Sequence, residues 1–215
     1  MNLITQNVVI AAHQFNPSIF SQLWLVKHKI IQEDEFESGA MFSDAAVQIP
    51  SKRFHLLVVP EMLQFTIKAE REDDAELVAE KIMAIANLLP QTPYTAIGLN
   101  FIWHHVAEEA EIAATTRRIF FRQNLEPFKS FGTEDALFGG YLSKDFGGAR
   151  LKLDIKPAHA KVANDPVVNV IHLQFNFHRD LTADDAMAGI KESIESWQAA
   201  KAESADISGR LLKDH

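Results

Sequence analysis

Leu63-Gln64-Phe65-Thr66-Ile67-Lys68, followed by Asp73-Asp74-Ala75 and an apolar helical pattern, returns later in the chain. The second version is Leu173-Gln174-Phe175-Asn176-Phe177-His178, followed by Asp184-Asp185-Ala186 and another helical pattern. Each alternates apolar and polar residues, the period of a half-buried strand. Each then places acids where the positive end of a helix dipole favours them. A strand that turns on an acidic cap and enters a helix is therefore written twice. The chain reads as two related halves, 1–92 and 93–200, with a polar C-terminal tail, 201–215, the whole forming one compact domain.

Working outward through the first half, residues 8–15 read as a strand. Asn16-Pro17 then starts a helix, with Ile19, Phe20, Leu23, Trp24 and Ile30 at helical spacing to about residue 31. Residues 33–39 are an acidic, solvated connector. Strands follow at 41–49, Phe54–Val59 and Met62–Ala69, with Pro60-Glu61 as an interruption. Asp73 then caps a helix, with Glu76 as its capping-box partner and Leu77, Val78, Ile82, Ile85, Leu88 and Leu89 as its stripe.

The second half follows the same order. Tyr94–Val106 is a strand and Glu108–Gln123 a helix, with acids first and Arg117, Arg118 and Arg122 last. After a connector at 124–137, Phe138–Lys144 and Ala149–Pro157 read as strands joined at Phe146-Gly147-Gly148. Val167–Arg179 is the long final strand. Thr182 and Asp185 form another capping box, and Met187, Ile190, Ile194 and Trp197 line the last helix. From about Ala199 the pattern weakens, leaving a continuing helix, a partner-binding arm or a frayed end.

Strand, helix, three strands, helix, written twice, predicts an α+β protein. Its β-α-β-β-β-α halves would form one largely antiparallel curved sheet with pseudo-two-fold symmetry and helices on one side. The order is similar to the duplicated saddle of TATA-box-binding-like folds. The similarity is one of architecture, since none of that family's sequence motifs is present, and architecture does not give function.

Composition narrows the function classes. With 215 residues and 47% apolar content the chain can bury a sizeable core. A formal charge of -8 argues for solubility and against general binding to nucleic acid or anionic membrane. The absence of cysteine excludes disulfides, thiolate nucleophiles and thiolate metal sites. The first residues lack a basic signal-peptide region, and no apolar run is long enough to span a bilayer. A cytoplasmic protein is expected.

Alternation also predicts a working face. Gln64, Thr66 and Lys68 point away from the core in one repeated strand; His172, Gln174, Asn176 and His178 do so in the other. Asn100 joins them from the strand at Tyr94, Gln14 is placed opposite Asn100 in role, and Arg150, Lys152 and Lys156 come from the strand at Ala149. The acids gather elsewhere, at 33–37, 70–80 and 108–111. The candidate binding residues are thus Gln14, Gln64, Asn100, Gln174, Asn176, His172 and Lys152.

Catalytic signatures are absent. The histidines include no His-Glu-x-x-His and no His-x-His, and His104-His105 on a strand point to opposite faces. No serine stands in a Gly-x-Ser-x-Gly elbow. Gly139-Gly140 and Gly147-Gly148 read as hairpin turns rather than phosphate loops. No catalytic residue, metal site or cofactor is indicated. The leading expectation is a non-enzymatic interaction or assembly protein, a homodimer or the partner of another protein. The alternative is a small-molecule-binding protein or enzyme with a pocket between the halves, near Tyr94, Trp103, His105 and Arg118. A third is nucleic-acid binding on the amide-lined face, since Asn and Gln can read a minor groove.

Overall fold

A computed structural model describes residues 1–161, 166–211 and 213. The strands are β1 (Asn2–Ala12), β2 (Met41–Phe42), β3 (Val47–Pro50), β4 (Phe54–Val59), β5 (Met62–Ile67), β6 (Tyr94–Val106), β7 (Gly140–Phe146), β8 (Ala149–Ala160) and β9 (Val168–Asp180). They join in one nine-stranded sheet in the order β2-β3-β4-β5-β1-β6-β9-β8-β7, every neighbouring pair antiparallel. The helices are α1 (Gln22–Lys27), α2 (Asp74–Leu88), α3 (Glu109–Phe120), α4 (Glu126–Lys129), α5 (Ala186–Glu195) and α6 (Trp197–Leu211). The protein is α+β.

One face of the sheet is covered. Val8, Ile10, Phe54, Phe65, Phe101 and Phe175 alternate inward and are buried against the apolar sides of α2 (Val78, Ile82, Ile85) and α5 (Ile190, Ile194). The two helices pack on each other, while α6 lies on β6 and β9 and α3 on β8 and β9. Stacked Phe54 and Phe65, with centroids 4.4 Å apart, add about 1 kcal/mol beyond the area they bury. Among the described residues the other sheet face carries no helix of comparable length, and it stays half-exposed.

Several expected boundaries change. β1 begins at Asn2 and ends at Ala12, because Gln6 and Asn7 belong to its ladder with β5 and β6. The helix expected to about residue 31 is a 3-10 turn, Pro17–Ile19, followed by the six-residue α1, each with its own cap. Asn16 Oδ1 accepts from Ser18 N–H and Ser21 Oγ from Trp24 N–H. The expected strand at 41–49 is two short ones, β2 and β3.

The capping box of Asp73 with Glu76 does not form. Asp73 turns instead to Arg53, taking two guanidinium hydrogen bonds of 2.7 Å each. Asp74 reaches back three residues to accept Arg71 N–H at 2.9 Å. Asp185 does the same for Thr182, accepting its N–H at 2.9 Å and its hydroxyl at 2.8 Å. Where the C-terminal pattern fades, the chain continues as helix α6 to Leu211, breaking from α5 only at Ser196. Of the expected polar tail, residues 212, 214 and 215 lie outside the described residues.

The two glycine pairs part company. Gly147 (φ 53°) and Gly148 (φ 82°) make the left-handed two-residue turn of the β7–β8 hairpin, as expected. Gly139-Gly140 is not a turn. A Cβ at Gly139 would stand 2.6 Å from the Ile155 carbonyl oxygen, and one at Gly140 2.4 Å from the Phe120 ring. Close approach, not backbone reversal, requires glycine there.

Candidate functional site

The strand registers assemble the open face in rows. One row runs His55, Thr66, Asn7, Asn100, Asn176, Lys152 and Ser143, from β4 across β5, β1, β6, β9 and β8 to β7. At its centre is an amide ladder. Asn176 Nδ2 donates to Asn100 Oδ1 at 2.6 Å, and Asn100 Nδ2 donates to Asn7 Oδ1 at 2.8 Å. The amides lie over Gly98 of β6, where a Cβ would stand 2.8 Å from Asn176 Nδ2. On β5, Gln64 Nε2 donates to Thr66 Oγ1 at 3.0 Å.

Six of the seven candidate binding residues lie on this face: Gln64, Asn100, Gln174, Asn176, His172 and Lys152. Gln14 does not. It follows the end of β1 and lines a separate cleft with Phe15, Asn16, Pro17, Asp44, Pro60 and Pro93. The residue opposite Asn100 is Asn7, which the reading of a strand from residue 8 left out.

The expected surplus of bases is largely cancelled. Arg150 pairs with Asp145 at 2.9 Å, Lys156 with Asp154 at 2.7 Å, and His178 with Asp180 at 3.0 Å. Lys68 pairs with Glu37. Lys152 alone of the candidates' cations makes no hydrogen bond or ion pair among the described residues. The acids were placed elsewhere because clusters are conspicuous in sequence, whereas Asp145, Asp154 and Asp180 are single residues on the same strand face.

A second row joins Asn2, His104, His172 and Lys156. His104 Nε2 and His172 Nδ1 are 2.9 Å apart. Partial burial, and then the neighbouring His172, disfavour the imidazolium of His104 and lower its pKa. No family model, curated protein or solved structure matches this chain.

Burial, and then Lys68, also lower the pKa of His55 below its ordinary value of 6.5. The unfolded chain thus binds more protons than the folded one as pH falls through that range, so stability declines with acidification. Urea unfolding at pH 7.5 and 5.5 is expected to show this loss, and His55→Asn to reduce it. An unchanged pH dependence in the variant would show that His55 is not responsible.

The alternative pocket residues do not converge. Tyr94 and Trp103 are nine residues apart on β6, roughly 30 Å along a strand. Tyr94 is buried and donates its hydroxyl to the Leu89 carbonyl at 3.1 Å. His105 Nε2 lies 3.5 Å from Glu111, and Arg118 is exposed on α3. Trp103 does line a cleft of about 540 Å³, with Glu70, Arg71 and Glu72 on one wall and Gln198, Lys201, Ala202 and Ala205 of α6 on the other. Trp103 Nε1 donates to Ser204 Oγ at 3.0 Å, and Lys201 pairs with Glu70 across the cleft at 2.7 Å. Among the described residues no group of three or more His, Asp or Glu side chains is arranged for a metal ion. No described helix is long and apolar enough to cross a membrane.

Proposed function

We propose that the open sheet face is an interaction surface and that the protein acts by assembly, first with a second copy of itself. The amide row Asn7–Asn100–Asn176 carries this reading. A side-chain amide has two donor hydrogens and an acceptor oxygen with two lone pairs. The ladder uses only part of that capacity, and on half-buried Asn100 and Asn176, though not on buried Asn7, the remainder is open to a partner beside Lys152, which is unpaired among the described residues. Such a row offers hydrogen bonds in a fixed register to a partner laid across it. The paired charges around it favour a protein partner over nucleic acid, whose binding is dominated by phosphate neutralisation.

The same reading holds the chain to be two related halves, 1–92 and 93–200, in a saddle like that of TATA-box-binding-like folds, working in the cytoplasm. Two independent observations support the repeat. The echoed sequences align Thr66 with Asn176, 110 positions apart. The register also makes Thr66 the β5 partner of Asn7 and Asn176 the β9 partner of Asn100, on either side of the central β1–β6 pair.

Light scattering across protein concentration, at low and moderate salt, tests the proposal. A dimer is expected, and Gln64→Glu with Gln174→Glu is expected to weaken it about tenfold or more, about 1.4 kcal/mol. A monomer throughout would overturn self-association. The cleft at Trp103 would then lead, as the site of a small-molecule-binding protein or enzyme, because its walls come from both halves.

A further inference from the structure

His104 and His172 stand directly opposite each other on β6 and β9, each strand also paired on its other side, β6 with β1 and β9 with β8. Their backbones are therefore held by ladders on both sides. The rings lie 5.1 Å apart between centroids, tilted by 55°, with His104 Nε2 and His172 Nδ1 at 2.9 Å. Two imidazole nitrogens bound to one ion at about 2.0–2.1 Å stand roughly 2.9 Å apart at a right angle and roughly 3.3 Å apart at the tetrahedral angle. At 2.9 Å between nitrogens, a centroid separation of 5.1 Å points the two nitrogens at each other, so the pair rests as a hydrogen bond, and a turn of the rings is what brings both lone pairs onto one ion.

We propose that His104 and His172 form a two-histidine site for a divalent transition-metal ion on the open sheet face. Imidazole is a good ligand for Ni²⁺, Cu²⁺ and Zn²⁺. Between the neutral rings, one nitrogen donates its proton to the other. On binding, the donor ring takes its other tautomer, so both facing nitrogens present lone pairs and no net proton is released. The N–H···N contact is replaced by two nitrogen–metal bonds, and water fills the remaining positions. Lys156, the register partner of His172, is already engaged by Asp154 at 2.7 Å.

The site shares the open face with the assembly proposed above but needs no second chain, and it is tested on the full chain without an affinity tag, after removal of metals by chelation. Titration with NiCl₂ in a calorimeter is expected to show one ion per chain. His104→Asn and His172→Asn should each weaken binding about tenfold or more, and the double variant should be no worse than either, because a chelate needs both nitrogens. His159→Asn, on β8, should leave binding unchanged. No binding at millimolar Ni²⁺, or binding left as tight by either single substitution, would overturn the site. If a substitution abolishes cooperative thermal unfolding, the wild-type ring resonances decide. Paramagnetic Ni²⁺ should shift or broaden those of His104 and His172 first, and an earlier effect on other histidines would refute the assignment.

Discussion

Trp197→Ala is expected to lower stability by about 3–5 kcal/mol, the usual cost of emptying a large aromatic site in a core. Trp197 is 0% exposed and opens α6 just after the break at Ser196. Its ring lies 4.9 Å from Phe101 of β6, which meets Phe177 of β9 at 6.0 Å, which in turn meets Phe146 of β7 at 5.2 Å. The indole thus anchors the C-terminal helix to an aromatic chain running across three strands. Its Nε1–H has no hydrogen-bond partner within the described residues. An unsatisfied buried donor already weighs against the native state, so Trp197→Phe should cost far less than Trp197→Ala. Denaturant unfolding with an unchanged m-value measures both. Equal losses would mean that the ring's size is not what matters.

Asp74→Ala is expected to cost roughly 3 kcal/mol or more, because it strands buried donors rather than merely deleting a contact. The Asp74 side chain is 1% exposed. It accepts Gln6 Nε2 at 2.8 Å and Arg71 N–H at 2.9 Å, and Arg53 Nη2 stands 3.6 Å away. Gln6, at 3% exposure, would lose its side-chain donor's partner in the same change. The group ties β1 to the start of α2 and, through Arg53, to the strand β4 next to β5. Asp73→Ala removes an exposed carboxylate from the same arginine and should cost much less. Comparable losses in the two variants, by thermal or urea unfolding, would refute the assignment of the burden to Asp74.

What could be read without coordinates was local. Alternation found β4, β5 and β6 and sorted Gln64, Gln174 and Asn176 onto one face, because side-chain direction in a strand depends only on parity. The Gly147-Gly148 turn was legible because positive φ selects glycine. What failed depended on register. His104 and His172 each sat in the correct outward set, yet nothing in either segment states that they face each other across 68 residues. Gln6 and Asp74 are likewise 68 positions apart, and a buried glutamine looks like any other near a chain start. The capping box at Asp73 failed for another reason. Arg53, from a hairpin 20 residues earlier, competes for the carboxylate that a local rule reserves for the helix.

The placement of β1 between β5 and β6 has a consequence in time. Synthesis from the N-terminus completes β1 to β5 and α2 by Leu88, but β6 ends only at Val106. At cellular elongation rates that interval is about 1–4 s. Throughout it the inner edge of β1 lacks its neighbour, and unpaired strand edges recruit other chains. On polysomes, the nascent β1–β5 and α2 segment is therefore open to chaperone capture or to pairing with a neighbouring nascent chain. When β6 arrives the free edge moves to β6 itself, which waits for β9.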